Sequence, residues 1–231
     1  MFPLRDVNPA RITPVVTVAL ILASLYVFFF VQQQSSDPEG FLYERAAISC
    51  EVTTGDPLSA EEASGGPCTD GGAPLFPEKS PLLAILTSMF LHGSVVHVLS
   101  NMWFLWIFGN NVEEAFGFVR YLTMYLLAGI AATLTFVIMN PDSTVPLVGA
   151  SGAIAGVLGA YAVLFPAHRV MSLVGFWIIP VPAAIFLGIW FVIQFNVGVS
   201  NVAWEAHVGG FVFGFLVALV FRRSLMRRVS A

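Results

Sequence analysis

Charge is scarce in this chain: only 10% of its 231 residues are Asp, Glu, Lys or Arg, whereas 57% are hydrophobic and the mean hydropathy is +0.83. An ordinary water-soluble domain carries about 25% charged residues, so this composition excludes one. A basic surface is lacking as well, since ten Lys and Arg against fourteen acids leave a net charge of -4. The densest basic group, Arg222, Arg223, Arg227 and Arg228, directly follows an apolar run, where it reads as a membrane anchor and not as a nucleic-acid footprint. Cysteine is limited to Cys50 and Cys68 and histidine to four residues. No His-Glu-x-x-His or close cysteine pair completes a metal site, so neither a metal nor another cofactor is expected. These absences leave a polytopic protein of the lipid bilayer, with no nucleic-acid partner.

The apolar runs set the expected spans. The first, Pro14 to Val31, is too long for a signal-peptide core and ends in Gln32-Gln33-Gln34, which predicts a retained helix. Residues 32–80 are polar and rich in Gly, Pro, Ser and acids. Within them, Phe41-Leu42-Tyr43 and Ala46-Ala47-Ile48 recur at helical spacing, which suits either a short interfacial helix or a solvated loop. Cys50 and Cys68 are candidates for a disulfide in this segment, although sequence alone does not bring them together. Pro81 to Leu91 is too short to cross about 30 Å of hydrocarbon and is interrupted by His92-Gly93-Ser94. Ser94 then suits the N-cap of a second helix running to about Gly109, with Asn110, Asn111, Glu113 and Glu114 in a turn.

A third helix is expected from roughly Phe118 to Met139, and a fourth from near Leu147 to Pro166. The fifth runs from about Leu173 to Phe195, with a bend or break at Pro180 and Pro182, and the sixth from near Ala203 to the arginine cluster. The expected fold class is therefore an all-α membrane protein, a six-transmembrane-helix bundle. Arg5, Arg11, Arg120, Arg169 and the four C-terminal arginines would fall on one side and only Arg45 and Lys79 on the other, which makes both the N and C termini cytoplasmic. On this reading residues 1–13 are a cytoplasmic tail and 14–221 the helical domain. Residues 32–94 form its long extracytoplasmic first loop with interfacial helices, and 222–231 a basic cytoplasmic tail.

Polar side chains within spans are costly and each calls for a partner or a function. His97, Asn101, Ser151 and His207 lie near the starts of the second, fourth and sixth helices, which all run in the same direction. At 1.5 Å rise per residue Ser151 and His207 fall roughly 6 Å and Asn101 about 10 Å below their helix starts, in the same outer part of the membrane. Gly152, Gly156 and Gly159 beside Ser151, and Gly210 and Gly214 after His207, form stripes that let the fourth and sixth helices approach closely. Ser151 can thereby come within hydrogen-bond reach of His207, the arrangement that activates a serine nucleophile. No acid is placed to orient the histidine, so the pair reads as a dyad. His97 and Asn101 share one face, and with the Ser151 backbone N–H they could donate to an oxyanion. Taken singly, each residue has a plain structural reading: a serine bonded to its own helix, an asparagine joining helices, a histidine at the interface.

The pattern His92-x4-His97-x3-Asn101, Gly149-Ala150-Ser151-Gly152 and Ala206-His207-Val208-Gly209-Gly210 with Gly214 resembles the rhomboid family of intramembrane serine proteases. Glu113 to Gly117 also resembles a structural glutamate and glycine at the end of the family's second helix. The resemblance implies a catalytic dyad of Ser151 and His207 and an oxyanion hole of Asn101, His97 and the Ser151 N–H. It implies substrates that are single-pass transmembrane proteins cut near the outer end of their helix, and a multi-pass location in a cell membrane, with a bacterial plasma membrane expected. It further implies that the fifth helix and a cap at about Asn196 to Val202 move to admit substrate. Two departures stand out: Ala155 occupies a position where some members stack an aromatic on the histidine, and a tryptophan-arginine pair is missing before the second helix. The competing readings are a rhomboid-like protein that binds or escorts transmembrane helices without cutting them, and a transporter, for which no inverted repeat is evident.

Overall fold

A computed structural model describes residues 1–69, 72–195 and 202–230. Ten helices and a small antiparallel sheet follow one another among these residues. Helix α1 spans Val15–Tyr26 and continues through a π turn, Val27–Val31, and a 3-10 turn, Gln32–Gln34. Four short helices follow: α2 (Pro38–Arg45), α3 (Ser49–Thr54), α4 (Ala60–Ala63) and α5 (Pro81–Thr87). The long helices α6 (Val95–Phe116) and α7 (Phe118–Met139) precede α8 (Ser151–Leu164), and α9 (Ala183–Gln194) and α10 (Trp204–Ser230) complete the bundle. Three helices are long and apolar enough to cross a bilayer, Val15–Gln34, Phe118–Met139 and Trp204–Val229. A fourth crossing is available if Pro81–Phe90 and Val95–Phe116, bent by 79°, act as one.

The core forms where small residues remove the obstacle to close approach. On α8, every residue from Gly152 to Leu164 except Ala162 is buried. A Cβ at Gly210 would lie 2.0 Å from the Gly152 carbonyl oxygen, and one at Gly214 only 1.9 Å from that of Gly156. On the other face of α8, Gly152 and Gly156 sit against Ala132 and Ala128 of α7. Helix α8 is therefore packed backbone to backbone against α10 and against the alanine methyls of α7, the packing mode that substitutes for a hydrophobic drive in lipid.

The all-α expectation is corrected by a three-stranded sheet of β1 (Phe2–Asp6), β2 (Arg169–Val174) and β3 (Trp177–Pro182), with β2 in the centre. Val174 pairs with Trp177 across the two-residue loop Gly175-Phe176, and Gly175 has φ +60°. That left-handed first position suits a tight hairpin, and Pro180 and Pro182 are tolerated because β3 is an edge strand. The helix expected from Leu173 accordingly starts only at Ala183, immediately after Pro182. The expected tail 1–13 is likewise not loose: Phe2 pairs with Leu173 and Asp6 with Val170. Asp6 also accepts from Asn111 Nδ2 and the Tyr161 hydroxyl, each at 2.7 Å. At the opposite terminus, residues 222–230 continue α10 as helix.

Three other boundaries move. Helix α6 runs two turns past Gly109, so Glu113 and Glu114 lie in its last turn and not in a connecting loop. There Glu113 accepts from Val16 N (2.9 Å), Thr17 N (2.8 Å) and Thr17 Oγ1 (2.7 Å). Helix α1 has no side-chain cap of its own, and the buried carboxylate satisfies its free N-terminal N–H groups and complements its dipole. In the polar segment α2 stops at Arg45, and Ala46, Ala47 and Ile48 leave the helix, buried and extended, with Ala47 bridging to Leu147. Helix α8 begins at Ser151, because Leu147 N donates to Ala47 O and Gly149 N to Ser88 O.

Residues 38–80 use the stabilising devices of water-soluble domains. Cys50 and Cys68 form a disulfide with Cα atoms 5.7 Å apart. Ser59 and Glu62 make a reciprocal capping box at α4. Lys79 and Glu51 form a buried ion pair, in which burial pushes the carboxyl up and the ammonium down, so neither is comfortable without its partner. This subdomain docks on the approach to α8, with Cys50 N donating to Ser143 O and Ala47 N to Ser88 Oγ.

Candidate functional site

Four separate elements converge on one cavity of about 960 Å³, lined among others by Ser151, His207, Asn101, His97, Gln194 and Glu205. Ser151 is the first residue of α8, so its N–H has no acceptor within the helix and its hydroxyl stands at the helix mouth. His207 lies in the first turn of α10, which the glycine contacts hold against α8. His207 Nε2 is 2.8 Å from Ser151 Oγ. A hydroxyl bonded to an imidazole nitrogen at this distance can pass its proton to the ring as the oxygen attacks an electrophile.

The donors around this pair come from α6. Ser94 caps α6 through the His97 N–H at 3.1 Å and thereby fixes its first turn. Gly93 N donates to His97 Nδ1 at 3.4 Å, which leaves the opposite nitrogen, Nε2, as the ring's N–H donor in the neutral form. The Nε2 edge lies against Gly149, where a Cβ would meet it at 2.9 Å and where φ is +125°, so that position requires glycine. Asn101 is buried, and its Nδ2 has no hydrogen-bond partner although it lines the cavity. A buried amide donor is costly unless some group bonds it, and this one is directed into the space beside Ser151 that the cavity provides.

His92 is fully buried. Its backbone is clamped by Gln32, which donates to the His92 carbonyl at 2.6 Å and accepts from its N–H at 3.1 Å, and its ring stands edge-on to His97 at 5.2 Å. Glu205 accepts from Asn140 Nδ2 at 3.2 Å. His168 stacks on Phe165 beside the start of β2.

Two residues at the site escaped the sequence reading. Gln194, the last residue of α9, places Oε1 2.7 Å from His207 Nδ1, and Trp190 one turn earlier lies beside the His207 ring at 6.1 Å and 33°. They occupy the role left open by Ala155, which is buried within α8. Their i, i+4 spacing was the only available signal, and it names a shared face without saying what that face meets. The cap expected at Asn196 to Val202 falls, up to Asn201, outside the described residues.

Taken together, the apolar bundle and its serine-histidine cavity define a helical membrane protein with a polar site buried at one end. The comparisons with known proteins give the class a family: residues 79–224 match the Rhomboid domain, and the chain belongs to the rhomboid family. It is 35% identical over 147 residues to RHOMBOID-like protein 1 of Arabidopsis thaliana, covering 62% of this chain and 35% of that protein. It is 37% identical over 136 residues to rhomboid protease GluP of Bacillus subtilis, covering 58% and 25%. With the mitochondrial rhomboid protein 1 of Saccharomyces cerevisiae it shares 27% identity over 163 residues, covering 64% and 46%. The chain thus spans a quarter to just under half the length of these relatives. The matched segment contains α6, α8 and α10 as far as residue 224, with all four polar site residues.

Proposed function

We propose that the protein is an intramembrane serine endopeptidase, and the 2.8 Å contact between Ser151 Oγ and His207 Nε2 is the observation that carries this reading. Ser151 Oγ attacks a substrate carbonyl carbon while its proton passes to His207 Nε2. The resulting oxyanion takes hydrogen bonds from Asn101 Nδ2, His97 Nε2 and the Ser151 N–H, donors fixed before the reaction begins. As the tetrahedral intermediate collapses, the C–N bond breaks and His207 returns its proton to the leaving amine. Water, deprotonated by the same ring, then hydrolyses the acyl-enzyme and restores the serine.

The substrates in this proposal are single-pass transmembrane proteins, whose scissile bond must leave helical pairing to reach the cavity. The chain crosses the bilayer six times with both termini cytoplasmic. Helices α8 and α9, of 14 and 12 residues, span only about 21 and 18 Å and rely on their extended flanks to complete a crossing. The arginine bias supports this orientation, which puts the disulfide-bonded segment and the Ser151 end outside. A bacterial plasma membrane is the proposed setting.

Labelling the detergent-solubilised protein with a fluorescent fluorophosphonate tests the reading. Wild type should label, whereas Ser151→Ala and His207→Ala should not; equal labelling of all three would refute the dyad.

A further inference from the structure

Resting on the dyad reading, we infer that Gln194 is a positioning residue that sets the tautomer and ring plane of His207, so that α9 takes part in aligning the catalytic pair. A neutral imidazole has one N–H and one lone pair, and only the tautomer protonated at Nδ1 leaves Nε2 free to accept the Ser151 proton. The orientation of the Gln194 amide is fixed independently: its Nε2 donates to the Trp190 carbonyl of its own helix at 3.0 Å, which turns Oε1 toward His207. An oxygen 2.7 Å from Nδ1 can only accept, so the proton is held at Nδ1 and the lone pair faces Ser151 Oγ at 2.8 Å.

Among the described residues no carboxylate performs this task. Glu205, on the first turn of α10, is engaged by Asn140, and the titratable group that faces the site from α6 is His97. Gln194 therefore does in neutral form what an acid does in a three-membered relay, and it does so without adding a charge to an apolar interior. Trp190 on the same face limits rotation of the ring. Both constraints sit on one helix. Any displacement of α9 from α10 would release the tautomer and the ring plane together while leaving the glycine-packed α8 and α10 in place.

The test uses the full chain in detergent and the fluorophosphonate probe, separating the maximal inactivation rate from the probe's apparent affinity. Gln194→Met keeps the length and apolar stem but removes the acceptor, and Gln194→Glu restores an acceptor oxygen. The Met variant should react at least about tenfold more slowly, the scale of one well-placed hydrogen bond, with affinity and melting temperature unchanged. The Glu variant should recover to within about threefold of wild type. Nitrogen-15 NMR of labelled histidine should show His207 protonated at Nδ1 in wild type and a tautomer mixture in the Met variant. A Met variant that reacts at the wild-type rate, while Ser151→Ala and His207→Ala stay unlabelled, overturns the role of Gln194 and leaves the dyad intact. Met and Glu variants that are equally slow and equally lowered in melting temperature reduce Gln194 to a packing residue. Labelling of Ser151→Ala or His207→Ala at the wild-type rate would instead remove the dyad itself.

Discussion

Helices α8 and α9 are both short and apolar and both border the cavity, yet they are held in opposite ways. Helix α8 is rich in Gly and Ala and is buried along nearly its whole length, backbone against backbone with α10 and against the alanine methyls of α7. Helix α9 has only Ala183, Phe186 and Leu187 buried, while Ile185, Ile189 and Val192 are exposed. Small side chains thus bought contact for α8, whereas the bulky ones of α9 hold it away from its neighbours. The serine stands on the fixed helix, and the groups that steady its histidine stand on the lightly held one.

This contrast can be broken by experiment, most severely at the glycine seam. Gly214→Val would drive a branched side chain into the Gly156 carbonyl, a backbone atom that cannot rotate aside. Overpacking typically costs about 1–3 kcal/mol, and a rigid backbone neighbour puts this site at or above the upper end. The expected outcome is a large drop in thermal stability in detergent together with lost probe labelling; a wild-type melting curve would show that α8 is not seated as described.

Next in size is a change in the chemistry alone. Asn101→Ala removes one donor of the proposed oxyanion hole and should lower turnover of a transmembrane substrate about a hundredfold, with melting unchanged or raised because an unpaired buried amide is lost. Unaltered turnover would exclude Asn101 from the oxyanion site.

A smaller effect concerns the outer subdomain that clamps the approach to α8. The Glu62 carboxyl is held below its ordinary value of 4.5, chiefly by the Ser59 and Thr69 donors. A carboxyl lowered by folding contributes stability that is present above its unfolded value and is lost as pH falls through the lower folded one. Reduction of Cys50–Cys68 by a water-soluble phosphine should therefore quicken, relative to an unfolded disulfide control, as pH falls below about 4.5. In Glu62→Gln this acid-dependent rise should be absent. An unchanged acid rise in that variant would assign the effect to another group.

The smallest expected effect is on α9 itself. Ile189→Ala, on its outward face, should change the melting temperature little, within about 0.5 kcal/mol as for surface sites. A core-sized loss of stability there would mean that α9 is packed as firmly as α8, and the contrast would fail.

Much of the site was legible because its signals are local. The glycine periodicity around Ser151 and after His207 states which faces must meet, and Ser94 announces the start of α6 three residues before His97. Helix ends were less legible. Glu113 looked like a turn residue because its partners, Val16 and Thr17, lie nearly a hundred positions earlier, and a carboxylate that caps a distant helix has no local signature. The β2–β3 hairpin was hidden for a related reason: an apolar run with prolines breaks a helix in either case, and only pairing with the N-terminal strand β1 decides that the broken part becomes sheet.

The sequence by itself determined that this chain is a membrane protein of the rhomboid family, because composition and spacing within a helix are properties of neighbours along the chain. Only the tertiary structure decided what holds His207. The partners of that ring, Gln194 and Trp190, face it from another helix, and hydrogen bonds of 2.7 and 2.8 Å on its two nitrogens depend on how three helices are set against one another.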